Sequence, residues 1–136
     1  MADGRVTESL SYLPIPAVTM FGQEDQKRFW ELGDRLVGGH AIVIDCAGGS
    51  APLRYLALIY PFNYGYLDGT GAIDGNGVDC WRGSLESPST TGAIVTVDVM
   101  KADSEVKWLV GCMESEMQAA LATHQTEWQA AMLILR

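Results

Sequence analysis

Cysteine and histidine are scarce in this 136-residue chain, and neither has the spacing of a disulfide or zinc motif. The three cysteines, Cys46, Cys80 and Cys112, are odd in number and widely separated, and no Cys-x-x-Cys pair occurs. This pattern disfavours a disulfide framework and favours a reducing, cytoplasmic compartment. His40 and His124 are far apart in sequence, so we interpret both as ordinary residues rather than zinc ligands.

Basic residues are also in short supply. The chain has 9 Lys and Arg against 17 Asp and Glu, which gives a formal net charge of −8. Nucleic-acid binders normally carry a basic face, so that class is disfavoured. An acidic balance suits a protein that binds cations, and it equally suits an acidic protein without a special ligand.

Long apolar runs are absent. No stretch of about 18 apolar residues occurs, so we predict no membrane span. The first ten residues, MADGRVTESL, do not have the basic and then apolar order of a signal peptide. Apolar residues still make up 48% of the chain, which is enough for one domain with a core.

The predicted organisation is a short arm followed by one domain. Pro14 and Pro16 favour an extended backbone, so we predict an irregular N-terminal arm over residues 1–22. Residues 23–136 are then predicted to form the domain. An apolar arm and four tryptophans in so small a chain indicate self-association, and we expect a homo-oligomer.

Two helices are predicted. The first covers residues 23–37, where the apolar spacing puts three residues on one face with two more beside it: Phe29, Leu32 and Leu36, flanked by Trp30 and Val37. The second covers residues 113–124. The final apolar stretch, AAMLILR, either extends the second helix or forms a last strand.

Between the helices the pattern predicts five short strands separated by Gly and Ser clusters. They are residues 40–46, 54–60, 78–83, 92–100 and 105–111. The fold class is therefore α+β. Short consecutive strands predict a small antiparallel barrel or a strongly curved sheet, with the helices on its flanks.

The segment with most chemical content is residues 60–81, which contains three tyrosines, five glycines and three aspartates. Glycines allow tight turns and leave room for a ligand, and carboxylates on such a loop suit a hard cation. The spacing does not fit an EF-hand or a phosphate-binding P-loop. On composition alone, a hairpin loop without function is the alternative interpretation.

A second polar group follows at residues 101–107, KADSEVK. Asp103, Glu105 and Lys107 are two residues apart, so on a strand they share one face. Two carboxylates beside a lysine suit a metal-bound phosphate. A solvated strand edge has the same composition and is the alternative.

These residues together resemble the central signature of the family I inorganic pyrophosphatases. Tyr60-Pro-x-Asn-Tyr-Gly-Tyr66, then Gly69-Thr, then Asp74-Gly-x-x-x-Asp79 follow the order and spacing of that signature over roughly twenty residues. The similarity extends to Asp45 and the Arg-Tyr pair at 54–55, and to KADSEVK. It covers about residues 41–111.

The resemblance implies a five-stranded, OB-like barrel and a magnesium-dependent hydrolysis of pyrophosphate to phosphate. The implied metal ligands are Asp74, Asp79, Asp103 and Glu105. The implied contacts to the phosphates are Arg54, Tyr64 and Lys107.

The chain departs from the family pattern at Asn76, where long members have an aspartate that positions and deprotonates the attacking water. Asparagine cannot take up a proton. Asn76 and Asp79 are thus the positions expected to decide catalysis. Two alternatives stay open: a non-catalytic homologue that binds metal and phosphate, and a hydrolase of another small phosphoanhydride.

Overall fold

The computed structural model of the chain describes residues 15–50, 59–71, 75 and 77–136. The chain divides into two compact units, Met1–Leu32 and Gly33–Arg136. All strands and the candidate site belong to the second unit. Residues 1–14 of the predicted arm lie outside the described residues, as do Arg54, Asp74 and Asn76.

The first helix, α1, covers Ile15–Gly38 and begins eight residues before the predicted start. The prediction of an irregular backbone over 15–22 is therefore wrong. Pro16 is the reason it misled, because a proline in the first turn of a helix loses no intrahelical hydrogen bond.

The buried face of α1 also differs from the prediction. Trp30 and Val37 are 6% and 3% exposed, whereas Phe29 and Leu32 are 41% and 39% exposed. Gly33 lies on the buried face, since a Cβ atom there would meet the ring of Trp108. The close approach at this glycine belongs to the second unit and places the C-terminal part of α1 against Trp108.

A single mixed sheet follows, with six strands in the order β1-β2-β3-β5-β4-β6 among the described residues. The strands are β1 Ile42–Cys46, β2 Asn63–Leu67, β3 Val78–Arg82, β4 Thr90–Asp98, β5 Asp103–Val110 and β6 Gln129–Leu135. The second helix, α2, covers Glu114–Thr123 between β5 and β6. All neighbouring pairs are antiparallel except β3 and β5, which are parallel.

The fold is α+β as predicted, but the sheet is not closed into a barrel, with β1 and β6 at its two ends. Four of the five predicted strands are found within three residues of their expected bounds. The fifth, over 54–60, lies mostly outside the described residues, and Ile59 and Tyr60 are not in a strand. Strand β2 was not predicted. The last apolar stretch, for which both a helix extension and a strand were considered, forms β6.

The two faces of the sheet have different environments. The inner face carries the core, and its buried members are Trp81, Ile94, Leu109, Cys112, Met117 and Ala120. The last two come from α2, which therefore covers this face. None of the described helices is long and apolar enough to cross a membrane.

Candidate functional site

A buried lysine lies at the centre of the inner face. The Nζ atom of Lys107 donates to Oδ2 of Asp79 at 2.8 Å, to Oε1 of Glu105 at 2.8 Å and to the hydroxyl of Tyr64 at 3.0 Å. The Tyr64 hydroxyl in turn donates to the same Asp79 oxygen at 2.7 Å. We call these four residues the lysine cluster.

Three strands supply the cluster. Tyr64 lies on β2 and pairs with Trp81 on β3, two positions from the row that contains Asp79 and therefore on the same face. On β5, Trp108 pairs with Cys80, which brings Lys107 beside Asp79. Strand alternation then puts Glu105 on the same face as Lys107, as the sequence predicted.

The cluster is largely shielded from water. Only 5% of the Lys107 side chain is exposed, against 21% for Asp79 and 15% for Glu105. Burial alone would lower the pKa of Lys107, but the Asp79 and Glu105 carboxylates outweigh burial and raise that pKa. Lys107 is therefore a fixed positive charge at neutral pH and not a nucleophile.

Tyr64 is a fixed donor for a related reason. Burial, together with the charge of Asp79 and the hydrogen bond to it, raises the pKa of Tyr64 well above its ordinary value. The phenol accordingly keeps its proton at neutral pH. Tyr64 orients Asp79, and both Tyr64 and Lys107 donate to the same oxygen, Oδ2, of that carboxylate.

An aromatic floor supports the cluster. Trp81 is fully buried, and its ring lies 4.7 Å from that of Tyr64, 4.8 Å from that of Phe62 and 5.4 Å from that of Tyr60, measured between centroids. The two outer aromatics belong to the segment before β2. Tyr60 and Trp81 thus pack against Tyr64 and help to hold its ring in place.

A chain of hydrogen bonds anchors Trp81. Its indole N–H donates to Nε2 of His124 at 3.1 Å, and Nδ1 of His124 lies 2.9 Å from Oε1 of Gln129. The amide nitrogen of Gln129 donates to Asp98 at 2.9 Å. Since an indole can only donate, the His124 proton must be on Nδ1.

His124 is neutral in this arrangement. Burial, followed by the nearby charge of Lys107, lowers the pKa of His124 to about 4. The contact between His124 and Trp81 was not predicted, because the two residues are 43 positions apart in the sequence. Strand β6 was the missing information. Once residues 129–135 form a strand, Gln129 lies opposite Asp98 in the register, where it also contacts His124.

The predicted site residues divide into three groups. Tyr64, Asp79, Glu105 and Lys107 are in contact. Asp103 is on the same face but pairs with Asp98 at the far end of the β4–β5 hairpin. It is four residues from Lys107, which is about 13 Å along an extended strand. The remaining three, Arg54, Asp74 and Asn76, lie outside the described residues.

A metal ion would find two carboxylates here. Within the part of the chain that the structure describes, no group of three or more Asp, Glu, His or Cys side chains is placed to hold a metal. Asp79 and Glu105 nevertheless supply oxygen donors beside one ammonium, so the cluster carries an excess of negative charge. Magnesium is commonly held by one or two carboxylates together with substrate phosphates, and these two residues fit that mode.

The three cysteines are free thiols. Burial raises the pKa of both the Cys80 and the Cys112 thiol to about 12. Both are thus inert at neutral pH and take no part in the chemistry of the site.

Compared with protein-family models and with curated proteins, the chain gives no match in either case.

Proposed function

We propose that this domain hydrolyses inorganic pyrophosphate to phosphate in a magnesium-dependent reaction. The observation that carries the proposal is the lysine cluster: four residues that the sequence resemblance names, from three strands, are joined by four hydrogen bonds of 3.0 Å or less, three of them made by Lys107. Composition and spacing alone do not require this convergence. A hairpin loop rich in Gly and Asp that has no function does not require these hydrogen bonds between three strands.

The electrostatics of the cluster suit a metal–pyrophosphate complex better than either partner alone. Two carboxylates repel a bare polyanion, while one ammonium attracts it. A divalent cation bound to Asp79 and Glu105 would reverse the local sign. When bound, magnesium would neutralise charge on the phosphate oxygens and lower the pKa of a coordinated water.

The roles of the protein side chains follow from their contacts. Lys107 would exchange one carboxylate for a phosphate oxygen and offset charge on the leaving group. Tyr64 would keep Asp79 oriented and add a neutral donor. The aromatic floor under Tyr64 would hold that hydroxyl in place throughout the reaction.

A non-catalytic domain is the second candidate, and one observation favours it. An ammonium has three donors, and Lys107 already has three acceptors, in Asp79, Glu105 and Tyr64. A fully satisfied lysine is what a structural cluster also needs. In that case the domain binds metal and phosphate, or neither, without hydrolysis.

The deciding experiment measures phosphate release from pyrophosphate, triphosphate and nucleoside triphosphates, with and without magnesium. We expect release from pyrophosphate only when magnesium is present. Asp79→Asn should abolish it, whereas Asp68→Asn, a change at an exposed turn residue of the same segment, should not. Equal activity in the two variants would contradict the proposal, and release from another substrate alone would assign a different phosphoanhydride.

Thermal stability gives a readout that does not depend on turnover. Magnesium together with a non-hydrolysable pyrophosphate analogue should raise the melting temperature, because the complex binds only the folded state. Asp79→Asn should remove the shift. A shift without any turnover would favour the non-catalytic candidate.

A cytoplasmic location goes with either candidate, since free thiols persist in a reducing compartment.

A further inference from the structure

One side chain beneath the aromatic floor comes from outside the three strands that supply the lysine cluster. His124 directly follows α2 and is 8% exposed. Its ring centroid lies 5.6 Å from that of Trp81 and 6.0 Å from that of Tyr64. Among the described residues, its side-chain hydrogen bonds go to Trp81 and Gln129 and to no member of the cluster. Any positional influence of His124 on the cluster therefore passes through an aromatic ring.

The orientation of the Trp81 ring depends on its polar contact. The indole N–H is the polar group of this side chain, and it donates to Nε2 of His124 at 3.1 Å. The aromatic neighbours meet the ring at different angles, 30° for Tyr60, 43° for Phe62 and 60° for Tyr64, so no single stacking geometry sets its plane. A hydrogen bond has a preferred direction, and a buried N–H without an acceptor is costly. His124 therefore fixes which way the indole faces.

His124 is itself held as an acceptor by a chain that ends in a tight turn. Its Nδ1–H donates to Oε1 of Gln129 at 2.9 Å, and the Gln129 amide nitrogen donates to Oδ2 of Asp98 at 2.9 Å. The other Asp98 oxygen accepts the backbone N–H groups of Met100 and Lys101 at 3.0 Å and 2.9 Å. Every donor in the chain points toward the carboxylate. The proton accordingly stays on Nδ1, and Nε2 remains free to accept the indole.

The charges around His124 keep its ring neutral. The titratable and charged groups that face it are Lys107 on β5, Asp79 on β3, Tyr64 on β2, Lys101 in the β4–β5 turn and, through Gln129, Asp98 at the end of β4. Burial opposes a positive imidazole most strongly, followed by Lys107, and these effects outweigh Asp79 and lower the pKa of His124 to about 4. Nε2 is thus an acceptor throughout the neutral range.

The Tyr64 ring transmits the position of Trp81 to the cluster in two ways. Its hydroxyl donates to Oδ2 of Asp79 at 2.7 Å and accepts from Nζ of Lys107 at 3.0 Å. The same Nζ atom lies over the Tyr64 ring, 5.6 Å from its centroid. A rotation of this ring would therefore change its contacts with the carboxylate and with the ammonium together.

We propose that His124 is a positioning residue of the candidate site: by accepting the indole N–H, it fixes the Trp81 ring and thereby the direction of the Tyr64 hydroxyl. What the positioned cluster binds rests on the proposed function, whereas the packing is independent of any ligand. His124 acts through Trp81 and Tyr64 and is not a catalytic residue. A displacement of about 1 Å at a reacting group can cost on the order of 100-fold in rate, so a remote hydrogen bond of this kind has a measurable effect.

Tyrosine NMR of the full chain tests this role without a ligand. With ¹³C-labelled tyrosine, the Cζ signal of Tyr64 reports the hydrogen bonds of its hydroxyl, and Tyr64→Phe assigns the signal by removing it. We expect His124→Leu, which has no acceptor for the indole, to shift and broaden this signal. His124→Gln presents a carbonyl oxygen in place of Nε2 and should leave the signal at its wild-type position.

Ala120→Gly is the matched control, because Ala120 lies in α2 within the core and the change weakens the helix without removing a side-chain hydrogen bond. An unchanged Tyr64 signal in His124→Leu, or an equal shift in His124→Gln or in Ala120→Gly, would overturn the proposal. If His124→Leu does not fold, Gln129→Leu decides, since Gln129 is only half-buried. Loss of the Nδ1 partner should shift the Tyr64 signal in that variant, and an unmoved signal would contradict the proposal.

Calorimetric titration with magnesium and methylenediphosphonate, a non-hydrolysable pyrophosphate analogue, separates this inference from the proposed function. We expect a dissociation constant about tenfold higher in His124→Leu than in the wild type, as misplacement of a binding group produces, and a value close to wild type in His124→Gln. Equal constants in all three proteins would contradict the positioning role. Absence of binding by the wild type would contradict the proposed function, and the Tyr64 signal would then decide the positioning role alone.

Discussion

Nζ of Lys107 lies 2.8 Å from Oδ2 of Asp79, although only 5% of the lysine side chain and 21% of the aspartate side chain are exposed. The pair therefore contributes differently from a surface salt bridge. A buried ion pair adds little to the free energy of unfolding compared with apolar residues at the same two positions. Removal of one partner, however, leaves the other charge buried and uncompensated.

Lys107→Met should accordingly destabilise the domain by about 3–5 kcal/mol, because Asp79 and Glu105 would face each other without a counter-charge. Urea unfolding at neutral pH measures the change. Lys101→Met, in the exposed turn between β4 and β5, is the control and should stay within about 0.5 kcal/mol of the wild type. In the Lys107 variant magnesium should recover part of the loss, since a cation can replace the ammonium; no recovery would speak against metal binding by these two carboxylates.

Acid should destabilise the domain through His124. The folded-state pKa is lowered to about 4, whereas the unfolded value is 6.5, so the unfolded state binds the proton first as pH falls. Stability from this residue is complete above pH 6.5 and is lost progressively between about 6.5 and about 4. At about 1.4 kcal/mol for each pKa unit, the loss approaches roughly 3 kcal/mol.

The variant that isolates this effect is His124→Gln, which can still accept from Trp81 and does not titrate. Its free energy of unfolding should change less between pH 7 and pH 5 than that of the wild type. Parallel pH profiles for the two proteins would show that other groups cause the acid sensitivity.

Gly65 should tolerate no side chain. A Cβ atom at this position would collide with the carbonyl oxygen of Val43 on β1, the strand paired with β2. Gly65→Ala should therefore cost about 1–3 kcal/mol or more, as overpacking does. Gly38→Ala is the matched control, because nothing lies within 4 Å of a Cβ there, and it should instead stabilise the helix. Equal melting temperatures for the two variants would contradict this account.

Asn76→Asp tests the departure from the pyrophosphatase signature. If the missing carboxylate limits turnover, its restoration should raise magnesium-dependent pyrophosphate hydrolysis by about tenfold or more and move the pH optimum downward. Initial rates at saturating magnesium over pH 6–9 measure both effects. Unchanged or lower activity with intact metal binding would indicate a different substrate or none.

The sequence predicts the parts of this fold in which local pattern and tertiary environment agree. Strands β3, β4 and β5 each contain β-branched or aromatic residues, and they form near the predicted positions. Strand β2 was missed because Asn63 and Gly65 read as turn residues. Their presence in a strand has a tertiary cause, since Gly65 is needed for the approach of β1.

The candidate site was predictable to the extent that two short motifs, at residues 60–81 and 101–107, contain it. Tyr64, Asp79 and the pair Glu105–Lys107 were identified from spacing and resemblance, and they do meet. The support beneath them was not predictable, because it depends on Trp81 and His124 coming together from distant segments. Long-range pairing of this kind leaves no periodic trace in a single sequence.

The parallel pairing of β3 with β5 has a consequence for the order of folding. Strand β5 can pair with β4 through a short turn, so Lys107 and Glu105 are placed early and locally. Asp79 is 28 residues away along the chain, and its arrival requires a parallel pairing, which is slow to form. During refolding the lysine should therefore meet Glu105 first and Asp79 later, and any binding of metal and phosphate should return only with the slower step.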